Sequence, residues 1–567
     1  MIHYKCRQQA KLVETTSWLP ERHSRLLKGT VYHTFREEIL PNLPVSMFTK
    51  CFSDSYGRPT KDLQSMVGLF IFQALLDLTD AAAVEAYCFH DTFRYALDIP
   101  RDAYLSQRAY YDYRRMLLGE GHQVFEAVLT RISERLDFAQ RIQRKDSTLV
   151  GTALKRMSKL ELFRATIRKF LAALKKGHPI IFSRIPEEFR ERYLPTKDSG
   201  SWFTGDKPSQ YAGRLIDTAK DVLWLIERFS DHASVSALEC FGLLGRLARE
   251  QIQVSDDNVL VELDKQFRGS ALVNPHDPEA RYDGHREAVG YHVQITESCS
   301  ESRDIDHPKI LTQVEVELAN TPDVQGLVAG VERLEAAALA PEILLTDNGY
   351  ASDDNHQALA ARGVEHLCPP AGKVPDGLCL IDFALDGDQK RIERCPAGKP
   401  CQDNRINEHK QKTTSYFDVA TCRGCPHSQE CPVKMTKRKA RLEWEWKRVR
   451  LEARRLQFAE DESVKKLFRQ RSGGESPMSI LKKMMGLERS SRRGRHRVTL
   501  AVFLAATGLN ILRTHQWLLR KTRRAMSGNR KTGKFSCLHQ LFTLFESGQA
   551  GRSNRYPTLA TAWDCAA

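Results

Sequence analysis

No apolar run in this chain of 567 residues reaches the ~20 residues that a membrane-spanning helix needs. The longest, Val498 to Leu512, is interrupted by Thr507 and Asn510 and followed by Arg513, so it reads as a buried core helix. Met1 to Ser17 is polar and lacks the apolar centre of a signal peptide. No membrane association and a cytoplasmic location are therefore expected. In that compartment the fourteen cysteines should be reduced thiols or metal ligands, not disulfides. Acid is in short supply as well: 71 Asp and Glu face 86 Lys and Arg, a net charge of +15. That excess suits a polyanionic partner, most often nucleic acid. A basic surface without a partner is the alternative. The length implies several domains, since one core rarely organises more than about 250–300 residues.

Residues 1–50 form a lead segment without a clear pattern. In 51–138 a helix is expected to begin at Gly57-Arg58-Pro59, followed by the stripe Val67, Phe70, Ile71, Ala74, Leu75 and Leu78. Another helix from Ser106 carries Arg108, Tyr110, Tyr111, Tyr113, Arg114 and Arg115. Short helices ending in one rich in Arg and Tyr fit a helix-turn-helix DNA reader, with Arg108, Arg114 and Arg115 as contacts. A bundle with core tyrosines and solvated arginines fits equally. An α/β core is expected over 139–153 and 259–373, with strands at Arg144–Val150, Val289–Thr296, Leu311–Leu318 and Ile343–Thr346. Between its two parts, 154–258 shows three helical stripes and reads as a helical insertion. An irregular, cysteine-bearing subdomain (374–434), a basic helical end (435–520) and a basic, flexible tail (521–567) complete the chain. Between Lys465 and Arg497 eleven Lys or Arg meet only Glu475 and Glu488, which makes those two glutamates conspicuous.

Asp347 closes the apolar run Ile343–Thr346, and open sheets put functional carboxylates at the carboxyl ends of strands. Asp146 sits in or at the start of a short strand. Each alone is unspecific, since an Asp before Asn-Gly is usually a turn residue. Glu475 is different. Gly473-Gly474 precede it, Pro477 sets a first helical turn, Arg471 stands four residues before it and Lys482 seven after. A carboxylate flanked by cations makes sense if it holds a metal while they hold phosphates; a surface ion cluster is the other reading.

Taken together these segments resemble the DDE transposases of bacterial insertion sequences. That family's signature runs Tyr, two residues, Arg, three residues, Glu, six residues, Lys, and here it reads Phe468, Arg471, Glu475, Lys482. Asp146-Ser147-Thr148 resembles the first Asp motif and Asp347-Asn348-Gly349-Tyr350 the second. Asp277-Pro278-Glu279-Ala280-Arg281-Tyr282 and Gly290-Tyr291-His292 resemble the strands leading to it, and the likeness spans about 50–515. Phe468 lacks the family's hydroxyl, and His292 stands where many relatives have Lys. The resemblance implies an RNase H-like mixed sheet. It implies Asp146, Asp347 and Glu475 as catalytic ligands of Mg²⁺ or Mn²⁺, two ions per site, with Phe468, Arg471 and Lys482 toward DNA. It also implies double-stranded DNA partners (the element's terminal repeats and target DNA), a dimer or higher oligomer, and a cytoplasmic setting on bacterial chromosomal or plasmid DNA. The reaction would be strand cleavage and strand transfer. An inactive repressor derived from a transposase and a plain two-metal nuclease are the alternatives.

Cys422 and Cys425 have zinc-ligand spacing, and with Cys395 and Cys431 they make the best set of four for a tetrahedral Zn²⁺ site. Similar clusters occur at this place in related transposases. The alternative is a loop of unpaired thiols.

Overall fold

The organising element is a strand, β1 (Ile142–Thr152), longer at both ends than its apolar stretch predicts. In the computed structural model the described residues are 1–527, except 4, 6, 8–18, 54, 137, 139, 155, 196–209, 256–257, 262–268, 301–306 and 375. The tail expected over 521–567 lies outside them from residue 528 on. Its first residues are not a loose tail but continue the last helix, Arg495–Ser527.

Six further strands join β1 in a mixed sheet: β2 (Arg281–Asp283), β3 (Ala288–Cys299), β4 (Leu311–Leu318), β5 (Ile343–Leu345), β6 (Glu365–Leu367) and β7 (Arg489–Ser490). β1 runs antiparallel to β3 in an unbroken register from Ile142 opposite Cys299 to Gly151 opposite Gly290. β3 in turn pairs antiparallel with β4 and, near its start, with β2. On the other edge of β1, β5 pairs in parallel with Ile142 to Arg144, and β6 lies parallel beyond β5. β7 pairs in parallel with Gly151 and Thr152. That edge of β1 is thus paired at its two ends, and Asp146 lies in the interval between them.

The helix Arg495–Ser527 is long and apolar enough to cross a bilayer by composition, but 83% of its most apolar stretch is buried inside the protein. The two polar residues that interrupt it have partners there. Thr507 Oγ1 donates to the Phe503 carbonyl at 2.7 Å. The Asn510 amide donates to Leu311 O and accepts from Leu311 N, both at 2.8 Å, tying the helix to β4. The N-terminal helices share one core with this helix and with Val293, Ile295 and Val314 of the sheet. Among them, Leu63–Leu75 is apolar on every side and buried on every side, as such a helix must be. It starts four residues after Pro59, because Asp62 takes the cap position and its carboxylate accepts from Ser65 N.

The helices between Lys159 and Gln251 pack on a core of their own, built from Phe163, Ile167, Phe170, Leu171 and Leu174 against Leu215, Val222 and Leu225. Ser158 and Glu161 form a reciprocal capping box at its start. The region after Pro375 is not irregular. Asp403–Asn407, Lys412–Phe417, Lys434–Met435 and Ala440–Glu445 make a four-stranded antiparallel sheet. Its alternation is muted in the sequence because Thr413 and Ser415 occupy buried positions of Lys412–Phe417, bonded to Lys390 O and Asn404.

Candidate active site

Asp146 and Asp347 are brought together by Arg471. One nitrogen of its guanidinium lies 3.5 Å from Asp146 Oδ1 and 3.4 Å from Asp347 Oδ2. The three residues come from three distant segments: the middle of β1, the turn after β5, and the 3₁₀ turn Arg469–Gly474. Parallel pairing of β1 with β5 sets the two aspartates side by side, since β5 ends at Leu345 opposite Arg144. The two oxygens of Asp347 divide between two partners. Oδ1 accepts from Gly349 N at 2.9 Å, and Oδ2 faces Arg471. Asp347 is therefore a turn residue and a partner of Arg471 at once.

The turn carrying Arg471 is anchored from below. Arg144, two residues before Asp146 and so on the same side of β1, is buried. Its guanidinium donates to Gln470 O at 2.6 Å and pairs with Glu297 on β3, which also pairs with Arg513 of the last helix. Gly473 passes so close to the Arg144 guanidinium that a side chain there would collide with it. Of the two glycines it is Gly473 that serves close approach. Glu475 follows directly, exposed, at the first turn of the helix Glu475–Ser479. A Cβ on its neighbour Gly474 would stand 3.6 Å from Asp146 Oδ2, which puts the start of this helix at the aspartates.

Burial pushes the Asp146 carboxyl up from its ordinary range; Arg471 and the Ser147 N–H oppose this, while Asp347 and Asp323 add to it. Asp323 is a residue that sequence reasoning missed. It heads the turn Asp323–Gly326 ahead of helix Leu327–Ala336, and its Oδ2 accepts from Ser147 Oγ at 3.1 Å. Nothing in the run Thr321-Pro322-Asp323 distinguishes it from a helix-initiating Asp, so the local sequence carries no signal for it.

Lys482 sits half-buried in the π-helical turn Ile480–Met484. Burial lowers its ammonium pKa, nearby Arg286 lowers it further, and Glu488 opposes. Arg286 lies 3.1 Å from His292 Nε2 and reaches toward Ser147 O, next to Asp146, at 3.5 Å, and Lys482 is near Arg286. Phe468 packs edge-on against Phe458, ring centroids 5.5 Å apart, and joins the two helices before the turn. Of the three N-terminal arginines, Arg108 and Arg115 are exposed, whereas Arg114 is engaged by Asp80 at 2.7 Å and lies over Tyr110 and Tyr111. Asp353, past the turn, is held by Arg450 and Arg454. Asp354 is exposed.

Cys395, Cys422, Cys425 and Cys431 line one pocket, together with His427. Cys401 and Cys379 are engaged elsewhere, with Sγ donating to Asp403 and Tyr416 carbonyls and to Gly377 O respectively. Among the described residues, however, the group whose potential ligand atoms all lie within 4.8 Å of one another is His356, His366 and Cys368, not these cysteines. The four thiols would have to draw together to share an ion. The His356 group is a buried polar cluster behind Asp347. Cys368 Sγ lies 3.4 Å from His356 Nε2, and His366 Nε2 lies 2.8 Å from Thr346 Oγ1. Burial and the nearby Arg454 cation keep both imidazoles neutral, with pKa values near 4 and 3.

The oxygen-only donor set of Asp146 and Asp347 suits a hard divalent cation. Two carboxylates already sharing a guanidinium nitrogen are spaced to share a positive charge. Residues 394–515 match a family model described as the transposase DDE domain. That span holds Arg471, Glu475, Lys482 and the four pocket cysteines; Asp146 and Asp347 lie ahead of it. No curated protein and no solved structure matches the chain.

Proposed function

We propose that this chain, a DDE transposase of insertion-sequence type as its match over residues 394–515 supports, binds the ends of its element, cuts them and joins the freed 3′-hydroxyl to target DNA. The observation that carries the reading is the meeting of Asp146 and Asp347 at Arg471, four residues before Glu475. The sheet supports it too. The order β4-β3-β1-β5-β6, with neighbours antiparallel among the first three and β5 and β6 parallel to β1, is consistent with the expected RNase H-like core, with Asp146 on β1 and Asp347 just past the end of β5.

In this reading Asp146, Asp347 and Glu475 would hold two Mg²⁺ or Mn²⁺ ions, which activate a water or 3′-hydroxyl and stabilise the leaving oxygen. The chain's own residues do the rest. Arg144 and Glu297 hold the Arg469–Gly474 turn against β1, so that Glu475 reaches the same place as the aspartates. Arg471, Lys482 and Arg286 supply positive charge for the phosphates flanking the cut. Residues 51–138, with Arg108 and Arg115 exposed, take double-stranded end DNA. The helices of 154–258 form an insertion, and two or more copies act together on paired ends. The pocket cysteines Cys395, Cys422, Cys425 and Cys431 hold one structural Zn²⁺ after closing around it.

The test is cleavage of end DNA in Mg²⁺. Asp146→Asn, Asp347→Asn and Glu475→Gln should each bind ends as tightly as the parent yet cut at least ~100-fold more slowly, because metal stabilisation of the transition state is worth several kcal/mol. Normal cutting by any of the three removes that residue from the site. If the parent binds ends and never cuts, a repressor function replaces this one.

A further inference from the structure

Behind the paired aspartates the protein carries buried polar atoms that its own folding leaves without partners. Asp323 Oδ1, His292 Nδ1 and the Tyr350 hydroxyl each have no hydrogen-bond partner of ordinary geometry among the described residues. They belong to one neighbourhood. His292 Nδ1 lies 3.6 Å from Asp323 Oδ1. Tyr350 is wholly buried, with its hydroxyl turned toward Ser147. Interiors rarely keep unpaired polar groups, and a cluster of them marks a place where something else completes the bonding.

The two oxygens of Asp323 face different ways. Oδ1 faces His292, while Oδ2 accepts from Ser147 Oγ, the residue next to Asp146. Oδ2 also lies on the far side of Gly349 from Asp347: a methyl group on Gly349 would stand 3.1 Å from Asp347 Oδ1 and 3.3 Å from Asp323 Oδ2. The Asp-Asn-Gly sequence therefore needs its glycine for room between two carboxylates. Arg471 is shared by Asp146 and Asp347, while Asp323 is bonded by Ser147, faces His292 and interacts with the buried Lys145 ammonium; half-buried carboxylates gathered along one strand favour the arrival of a cation.

We infer that Asp323 is a fourth carboxylate of the divalent-cation site, held in place by Ser147 and His292. Its charge raises the site's affinity for the ion, and its hydrogen bond to Ser147 fixes the strand at Asp146. This rests on the proposed metal site at Asp146 and Asp347 and adds a residue to it.

The experiment is Mn²⁺ binding to the full-length protein without DNA, followed by electron paramagnetic resonance of the free ion. It is run on the parent, Asp323→Asn, Asp323→Ser, Asp146→Asn and the exposed control Asp354→Asn, each checked by thermal melting. Ligand charge sets affinity in oxygen-donor sites, so either Asp323 variant should weaken Mn²⁺ binding on the order of tenfold, while Asp354→Asn should match the parent. The serine variant keeps a hydroxyl for Ser147, so whichever of the two folds decides the matter. If a folded Asp323 variant binds Mn²⁺ like the parent while Asp146→Asn does not, the inference is wrong and the site stands. Parent-like binding by Asp146→Asn as well would overturn the site itself.

Discussion

A single side chain, Lys482, shows how position along the chain becomes chemistry. It lies seven residues after Glu475, and the π-helical turn at Ile480–Met484 brings it beside Arg286 and so toward the aspartates. Glu488 opposes Lys482 and Asp283 lies 3.9 Å from Arg286, yet two cations held close together still favour the arrival of an anion. Lys482→Ala should therefore weaken end binding and lower the slope of log affinity against log salt by about one, the mark of a lost phosphate contact. Mn²⁺ binding should be unchanged. An unaltered salt slope would place Lys482 away from the backbone of the DNA. At this scale spacing singles out Arg471, Glu475 and Lys482 by their intervals along a few turns, and the structure places Arg471 between Asp146 and Asp347. Asp323 was not, because its partners Ser147, Gly349 and His292 lie far off in sequence and only the sheet brings them near.

Among the elements, the joint that matters most is the one between β1, β3, the Arg469–Gly474 turn and the last helix. Arg144, Glu297 and Arg513 make it, all of them largely buried. Burial pushes the Glu297 carboxyl up, but Arg513 and Arg144 outweigh it and hold the group below its ordinary range. A carboxylate depressed in the folded state contributes stability that is present above its unfolded pKa, about 4.3, and lost as pH falls through the folded value. Glu297→Gln should cost about 3–5 kcal/mol at neutral pH, because two buried guanidinium groups lose their partner. It should also flatten the decline in stability that the parent shows between about pH 5 and 3, measured by urea denaturation at each pH. An acid limb as steep in the variant as in the parent would assign that decline to other carboxylates. None of this joint could be read beforehand. Arg144 looks like an ordinary strand-edge cation, and the apolar signal of the strand itself is confined to Leu149 and Val150. The cysteine-bearing sheet was missed for a related reason: Thr413 and Ser415 fill buried positions and erase the apolar alternation that marks a strand.

For the molecule as a whole, the pocket of four cysteines is the part most open to a simple measurement. Elemental analysis of purified protein should find about one Zn²⁺ per chain, and none in a Cys422→Ser, Cys425→Ser double variant. Chelation should lower the melting temperature of the parent and leave that of the double variant where it is. Zinc-free parent protein of full stability would make the pocket a cluster of packed thiols. The long apolar helix was recognisable as core from Thr507, Asn510 and Arg513. Its bond to the sheet was not, since an Asn in an apolar run does not announce its partner. That bond has a consequence for assembly. Asn510 engages both main-chain groups of Leu311, at the start of a strand that borders the sheet. Exposed strand borders invite further chains to add themselves by backbone pairing. Here one side-chain amide imitates the missing neighbour, so at this point the sheet is closed to a visitor. In the proposed assembly on paired DNA ends, copies would therefore not join by extending the sheet at Leu311.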